Sequence, residues 1–245
     1  YPDMSEVETP PPQTAQEIRE DNFDKEQQKS AGLSETIGEL LRINQFQKAL
    51  NTEPKYKRVE GGVSMSFEGE PNKQLSDSVS NNESDGVISA LQNSGNPFIQ
   101  RIGNLASQAS PFGVGLYPDN AARSVKKYAG IYVPSERKIY MRSKAMAASE
   151  HAVAHEVVHH LTLDALRNPT AEQKPVVEKI EKLYKHVKLF LAKQGKGKLY
   201  GLKNTAEFVA EANSNVNFQY ELSKIPYQKQ NAWSAFTDFV SKDRK

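Results

Sequence analysis

Residues 151–160 read His151-Ala-Val-Ala-His155-Glu156-Val-Val-His159-His160, and within them lies His-Glu-x-x-His. On an α-helix, residues four apart share a face, so the imidazoles of His155 and His159 can reach one metal ion together. Glu156, next to the first imidazole, points along that face toward an open coordination position. There its carboxylate can take a proton from metal-bound water. Val157 and Val158 face the other way and would anchor the helix in a core, as a tightly held metal site requires. The pattern is that of a zinc site.

A zinc site of this kind needs a third protein ligand. A His-x-x-Gly-x-x-His continuation would put Gly at 162 and His at 165, and Thr162 and Ala165 stand there instead. The chain has no Cys, which excludes thiolates and leaves histidine and carboxylate as donors. Further along, the sequence reads Tyr200-Gly-Leu-Lys-Asn204-Thr-Ala-Glu207-Phe-Val-Ala-Glu211-Ala. Asn204 and Thr205 can cap a helix on which Glu207 and Glu211, four apart, project from one face. A carboxylate pair at this spacing is ordinarily solvated. This one is set among Ala, Phe and Val, and buried carboxylates need compensating positive charge, which a zinc ion and its histidines would supply. Glu207 is the expected third ligand.

His-Glu-x-x-His followed by Tyr-Gly-x-x-Asn-x-Ala-Glu-Phe-x-Ala-Glu-Ala resembles the catalytic domain of the anthrax lethal factor type of zinc metallopeptidase, a gluzincin. The resemblance spans about residues 110–245 and is specific at the two motifs; elsewhere it is a match of helix order. It implies a zincin-like fold, one Zn2+ as cofactor, and His155, His159 and Glu207 as its ligands. Glu156 is implied as the general base. Tyr200 is implied beside the open position, where it stabilises an oxyanion or assists the leaving group. Glu211 falls where this group has a carboxylate behind the ligands, placed for the free imidazole nitrogen of His155. The implied activity is that of an endopeptidase acting on a protein or peptide. The first hundred residues hold no recognisable receptor-binding module like the toxin's, and similar domains occur inside large phage proteins. A secreted or phage-borne origin is therefore expected. The alternative is a phage virion protein or delivered structural protein that uses this fold as a binding scaffold.

The elements that must hold these groups can be read from periodicity. The motif helix is expected from about 147 to 166, ending before Asn168-Pro169. A second long helix follows over about 171–193, with Val176, Ile180, Leu183, Val187 and Phe190 as its apolar stripe and Lys and Glu opposite. His186 falls on its polar side and is expected at the surface. His151 is expected at the solvent-facing start of the motif helix and His160 off the metal face, neither as a ligand. Upstream, a helix at about 96–108 is followed by strands at 112–117, 128–133 and 138–142. The last two form a hairpin across residues 134–137, a candidate rail for an extended peptide. The fold class is α+β, mostly helical with a small sheet.

Charge divides the chain. Residues 1–109 carry 10 Lys+Arg against 17 Asp+Glu, and residues 110–245 carry 22 against 13. Residues 1–90 read as an acidic, low-complexity, partly disordered region, with 91–245 as the metallopeptidase-like domain. Within the first region, 1–30 is a tail and 74–86 a flexible connector, and a strand is expected around 63–67. Leu33, Ile37, Leu40, Leu41 and Phe46 predict a helix at 31–50, able to dock on the later domain or on a separate partner. The lysines of the basic half are expected on the solvated face of a helix, so nucleic acid is not an expected partner. No apolar run is long enough to span a membrane. The opening on Tyr1 suggests a processed product or a fragment.

Overall fold

The computed structural model describes residues 56–59, 62–65, 71–118 and 128–241. The tail at 1–30 and the helix expected at 31–50 lie outside the described residues. Two short antiparallel strands, β1 (Tyr56–Val59) and β2 (Gly62–Met65), come first. β2 supplies the strand expected near 63–67 and runs beside the Tyr200–Leu202 turn.

Three helices follow: α1 (Lys73–Ser80), α2 (Ser84–Gln92) and α3 (Pro97–Gln108). Leu75, Val79, Val87 and Leu91 are fully buried, in the same core as Ile99, Ile102 and Leu105. This corrects the flexible connector expected at 74–86 and brings residues before 91 into the packed unit. The polar residues there disguise two short amphipathic helices, because Asp77, Asn81, Asn82 and Asp85 occupy caps and outer faces while the small Ser76 and Ser78 are buried beside the leucines and valines. The Asn72 side chain, for example, accepts from the Leu75 N–H.

The main sheet has the order β3 (Gly113–Leu116), β5 (Lys138–Met141), β4 (Gly130–Val133), with β3 parallel and β4 antiparallel to β5. The expected hairpin is present. Its link is a 3-10 turn, Pro134–Glu136, closed by Arg137 in the left-handed region at φ 47°. Val114, Ile139 and Met141 share one face by the two-residue pleat and are buried there. The Arg142 N–H donates to the Ala129 carbonyl (2.9 Å). In an antiparallel ladder this turns the backbone groups of Ile131 and Val133 toward β5 and those of Gly130 and Tyr132 outward. Among the described residues no strand pairs with that outer edge of β4.

A short helix, α4 (Lys144–Ala147), leads into the motif helix α5 (Glu150–Arg167), which Ser149 caps by accepting from the Ala152 N–H. Its first residue is tied to the helical layer, for Glu150 accepts from Asn72 Nδ2 (2.8 Å) and from the Ser94 hydroxyl. Val153, Ala154, Val157, Val158 and Leu161 face the core. The long helix α6 (Lys174–Lys193) buries Val176, Ile180, Leu183, Val187 and Leu191, while Phe190 is only partly covered. His186 does more than face solvent. Its Nε2 donates to the Pro226 carbonyl (2.8 Å) and its ring meets Tyr227 edge-on, clasping α6 to a small hairpin.

That hairpin, β6 (Pro226–Tyr227) and β7 (Gln230–Asn231), lies between α8 (Val216–Ser223) and α9 (Ala232–Ser241). Before them stands α7 (Thr205–Ser214), capped as expected by Asn204, which accepts from the Glu207 N–H at 2.9 Å. Phe208 on α7 is fully buried and meets Tyr184, Phe218 and Phe236 edge to face. Truncating such a ring to Ala costs about 3–5 kcal/mol, and here the loss would loosen the helix that carries Glu207 and Glu211. The described chain is thus mostly helical with a small sheet. No helix among the described residues is long and apolar enough to cross a membrane.

Candidate metal centre

Helices α5 and α7 pack directly against each other. The i, i+4 spacing aligns His151, His155 and His159 along one face of α5, and Glu207 and Glu211 along the facing side of α7. Glu207 Oε2 lies 2.9 Å from His155 Nε2 and 3.3 Å from His159 Nε2. A tetrahedral zinc ion with bonds of about 2.0–2.1 Å would separate its ligand atoms by roughly 3.3 Å. The three side chains that the two motifs suggested are therefore brought together at the spacing a single ion needs. Exposures of 12% for His159 and 17% for Glu207 leave the centre open to solvent on that side.

Glu211 Oε1 stands behind the ligands, 3.1 Å from His155 Nδ1 and 3.5 Å from His151 Nε2. Both nitrogens are buried, and both sit off the line of a hydrogen bond, so the contact is electrostatic and neither nitrogen has a hydrogen-bonded partner. The other Glu211 oxygen accepts from Asn215 Nδ2 at 2.7 Å. Burial alone would raise the Glu211 pKa, but the imidazoles of His151 and His155 outweigh it and hold the carboxyl at about 2. His151 thus corrects the expectation of a solvent-facing helix start. It lies one turn before His155 on the same face, and α7 covers that face.

His155 Nε2 and Glu207 Oε2 would face each other lone pair to lone pair unless Nε2 holds a proton or a metal ion. Two acceptors at 2.9 Å repel each other unless a cation lies between them. A proton on Nε2, donated to Glu207 Oε2, meets that need, as a metal ion would. Burial by itself would lower the His155 pKa, yet the carboxylates of Glu207 and Glu211 together raise it well above its ordinary value. Burial likewise pushes Glu207 upward, and the imidazoles of His155 and His159 override it, holding that carboxyl far below the usual range. Two imidazole nitrogens and a carboxylate oxygen are also the donor set of hydrolytic zinc centres. A metal ion fits where the proton sits.

Glu156 is buried beside the outward edge of β4, where it accepts a hydrogen bond from the Tyr132 backbone N–H. Its pKa is raised, chiefly by burial; the His159 and His155 charges oppose the shift and Glu207 adds to it. Gly130 makes this seat. A Cβ there would come within 2.8 Å of Met141 Sδ and 2.9 Å of Glu156 Cγ.

Tyr200 sits on the 3-10 turn Tyr200–Leu202 that precedes α7. Its hydroxyl donates to Glu207 Oε1 at 3.3 Å, and its ring centroid is 5.7 Å from that of His155. Burial, then the charges of Glu207, Glu156 and Glu211, raise its pKa, so the phenol keeps its proton. Gly201 lets the turn close on α7, since a Cβ would meet Phe218 Cζ at 2.8 Å and Glu211 Cβ at 3.0 Å.

No family model, curated protein or solved structure matches this chain. What stands is a buried His and Glu group able to hold a metal ion.

Three further residues have roles at the site that the sequence did not show. His160 stays off the metal face as expected, but it ties β4 to the motif helix: Nε2 donates to the Ser110 carbonyl (2.9 Å) and Nδ1 accepts from the Tyr132 hydroxyl (3.2 Å). Burial lowers its pKa, which suits a neutral ring in that role. The buried Tyr117 hydroxyl is pushed up to about 12 by burial and then by the charge of Glu156. Lys203 lies against the Tyr200 ring. All three depend on contacts between elements far apart in sequence.

Proposed function

We propose that this chain is a zinc-dependent endopeptidase of the gluzincin type, resembling the lethal factor-like group. The observation that carries the reading is the convergence of His155 Nε2, His159 Nε2 and Glu207 Oε2 beside a buried Glu156. Those three side chains would hold one Zn2+. When bound, zinc polarises a carbonyl and acidifies water.

The remaining chemistry belongs to the chain. Glu156, with a pKa raised by burial, takes the proton of the attacking water and returns it to the departing amine. The Tyr132 N–H fixes the carboxylate for both transfers. Tyr200 remains protonated and donates to the oxyanion of the tetrahedral intermediate. With Gly130 buried and the Tyr132 N–H engaged, the outward edge of β4 offers the C=O of Tyr132, and the rail reading rests on an extended peptide donating to that group.

The test measures zinc per chain in the parent and in Glu207→Ala, and casein cleavage in the parent and in Glu156→Gln. One equivalent of zinc, lost in Glu207→Ala, and turnover lost in Glu156→Gln with zinc retained, are expected. A parent that takes up no zinc when supplied with it refutes the reading. Zinc uptake with no cleavage of any peptide favours the scaffold alternative, a phage virion or delivered binding protein.

A further inference from the structure

Lys203 ends the turn that carries Tyr200 and directly precedes the Asn204 cap of α7. Its Nζ is 3.9 Å from the centroid of the Tyr200 ring and 5.1 Å from that of Tyr128. The two rings come from elements far apart in sequence. Tyr200 leans on the α7 side, while Tyr128 leads into β4, whose outward edge passes Glu156. The ammonium therefore links the Tyr200 turn to the N-terminal end of β4.

Aromatic faces attract a cation but carry no net charge, so they hold Lys203 without neutralising it. Among the described residues no carboxylate lies within ion-pair distance of its Nζ. The nearby acids are committed elsewhere: Glu207 and Glu211 face imidazoles, and Glu156 accepts from the Tyr132 N–H. An ammonium with no counter-charge among the described residues, fixed beside the candidate metal centre, is a receptor for an anionic group. In a peptide that group is a carboxylate. The excess of 22 Lys+Arg over 13 Asp+Glu in residues 110–245 adds a field that draws such peptides in.

We infer that Lys203 determines specificity by pairing with a substrate carboxylate, either an acidic side chain a few residues from the scissile bond or the terminal carboxylate. The inference rests on the peptidase reading. It assigns Lys203 no part in bond breaking.

The test uses fluorogenic peptides of one parent sequence, with Glu or Gln placed at each position flanking the scissile bond, and with free or amidated C-termini. kcat/KM is compared for the wild type, Lys203→Met and Lys203→Glu. Met keeps an unbranched stem of similar packing and removes only the charge. The wild type should prefer Glu over Gln at one position, or the free over the amidated terminus, by about tenfold, equivalent to one good ion pair. Which pair shows the preference identifies the source of the carboxylate. In Lys203→Met the ratio should fall to near one, and in Lys203→Glu it should invert, favouring the Gln or amidated peptide.

A wild type without preference overturns the inference, as does a Lys203→Met variant that slows every peptide equally, which would make Lys203 a support for Tyr200. Binding of the labelled Glu and Gln peptides to zinc-loaded protein, followed by fluorescence anisotropy, separates the two readings. If nothing is cleaved but Lys203→Met abolishes a preference for the Glu peptide, the peptidase reading fails and the carboxylate site stands. Equal binding of both peptides by the wild type ends the inference in either case.

Discussion

Glu211 Oε1 stands 3.1 Å from His155 Nδ1, on the opposite edge of the imidazole from the Nε2 that faces Glu207. One ring is thus held between two carboxylates, and the rear one acts on it through its charge. Partners of this kind fix tautomer and ring orientation, and their loss costs about 10–100-fold in metal affinity. Glu211→Gln keeps the shape and removes the charge. Its zinc affinity, measured by competition with a chromogenic chelator, should fall by that factor. An unchanged affinity would show that Glu211 has no hold on the ligand.

Zinc and a proton compete for the same place. The His155 pKa is raised above its ordinary 6.5, so its contribution to the metal-free fold is complete below 6.5 and is lost as pH rises through the folded value. Glu211 runs the other way. Its pKa is depressed from 4.5 to about 2, so its contribution is present above 4.5 and is lost as pH falls toward 2. Urea unfolding of the metal-free protein should therefore show greatest stability between about 4.5 and 6.5 from these groups. Zinc uptake should release about one proton per ion near neutral pH, read by calorimetry in buffers of different ionisation enthalpy. Uptake with no proton release would contradict a protonated His155.

The contact between Gly130 and Glu156 leaves no room for a methyl group. In Gly130→Ala the new Cβ meets Glu156 Cγ at 2.9 Å, and either the carboxylate or β4 must shift. The zinc ligands are elsewhere, so metal content should be retained. A displacement near 1 Å in a reacting group costs about a hundredfold in rate, so kcat against a peptide should fall by that order. A variant with full turnover would remove Glu156 from the base role or show that β4 yields freely.

Tyr200 offers a proton that its surroundings keep in place. Tyr200→Phe preserves the ring against Lys203 and His155 and removes only the donor. Loss of one oxyanion donor costs about 10²–10³ in kcat, with KM and zinc content little changed. Steady-state kinetics on a fluorogenic peptide decide the matter. A rise in KM at constant kcat would make Tyr200 a substrate-binding group instead.

His155, Glu156 and His159 were legible in the sequence because their geometry is local. A helix places residues four apart on one face whatever surrounds it, and the same rule aligned Glu207 with Glu211. The Asn204 cap, the strands at 113–116, 130–133 and 138–141, and the long helix at 174–193 are equally local, set by capping chemistry and periodicity. Tertiary structure decided the rest. Only the docking of α7 on α5 brings Glu207 between two imidazoles, turns His151 inward to Glu211 and lays Lys203 between Tyr200 and Tyr128. Only the packing of α1 on α2 and α4, and of α2 on α3, shows that a polar stretch belongs to the core, since burial depends on what covers a face. Side-chain spacing along one element is set by backbone geometry, whereas contacts between elements are set by how their apolar surfaces fit together, and no short stretch of sequence contains both partners.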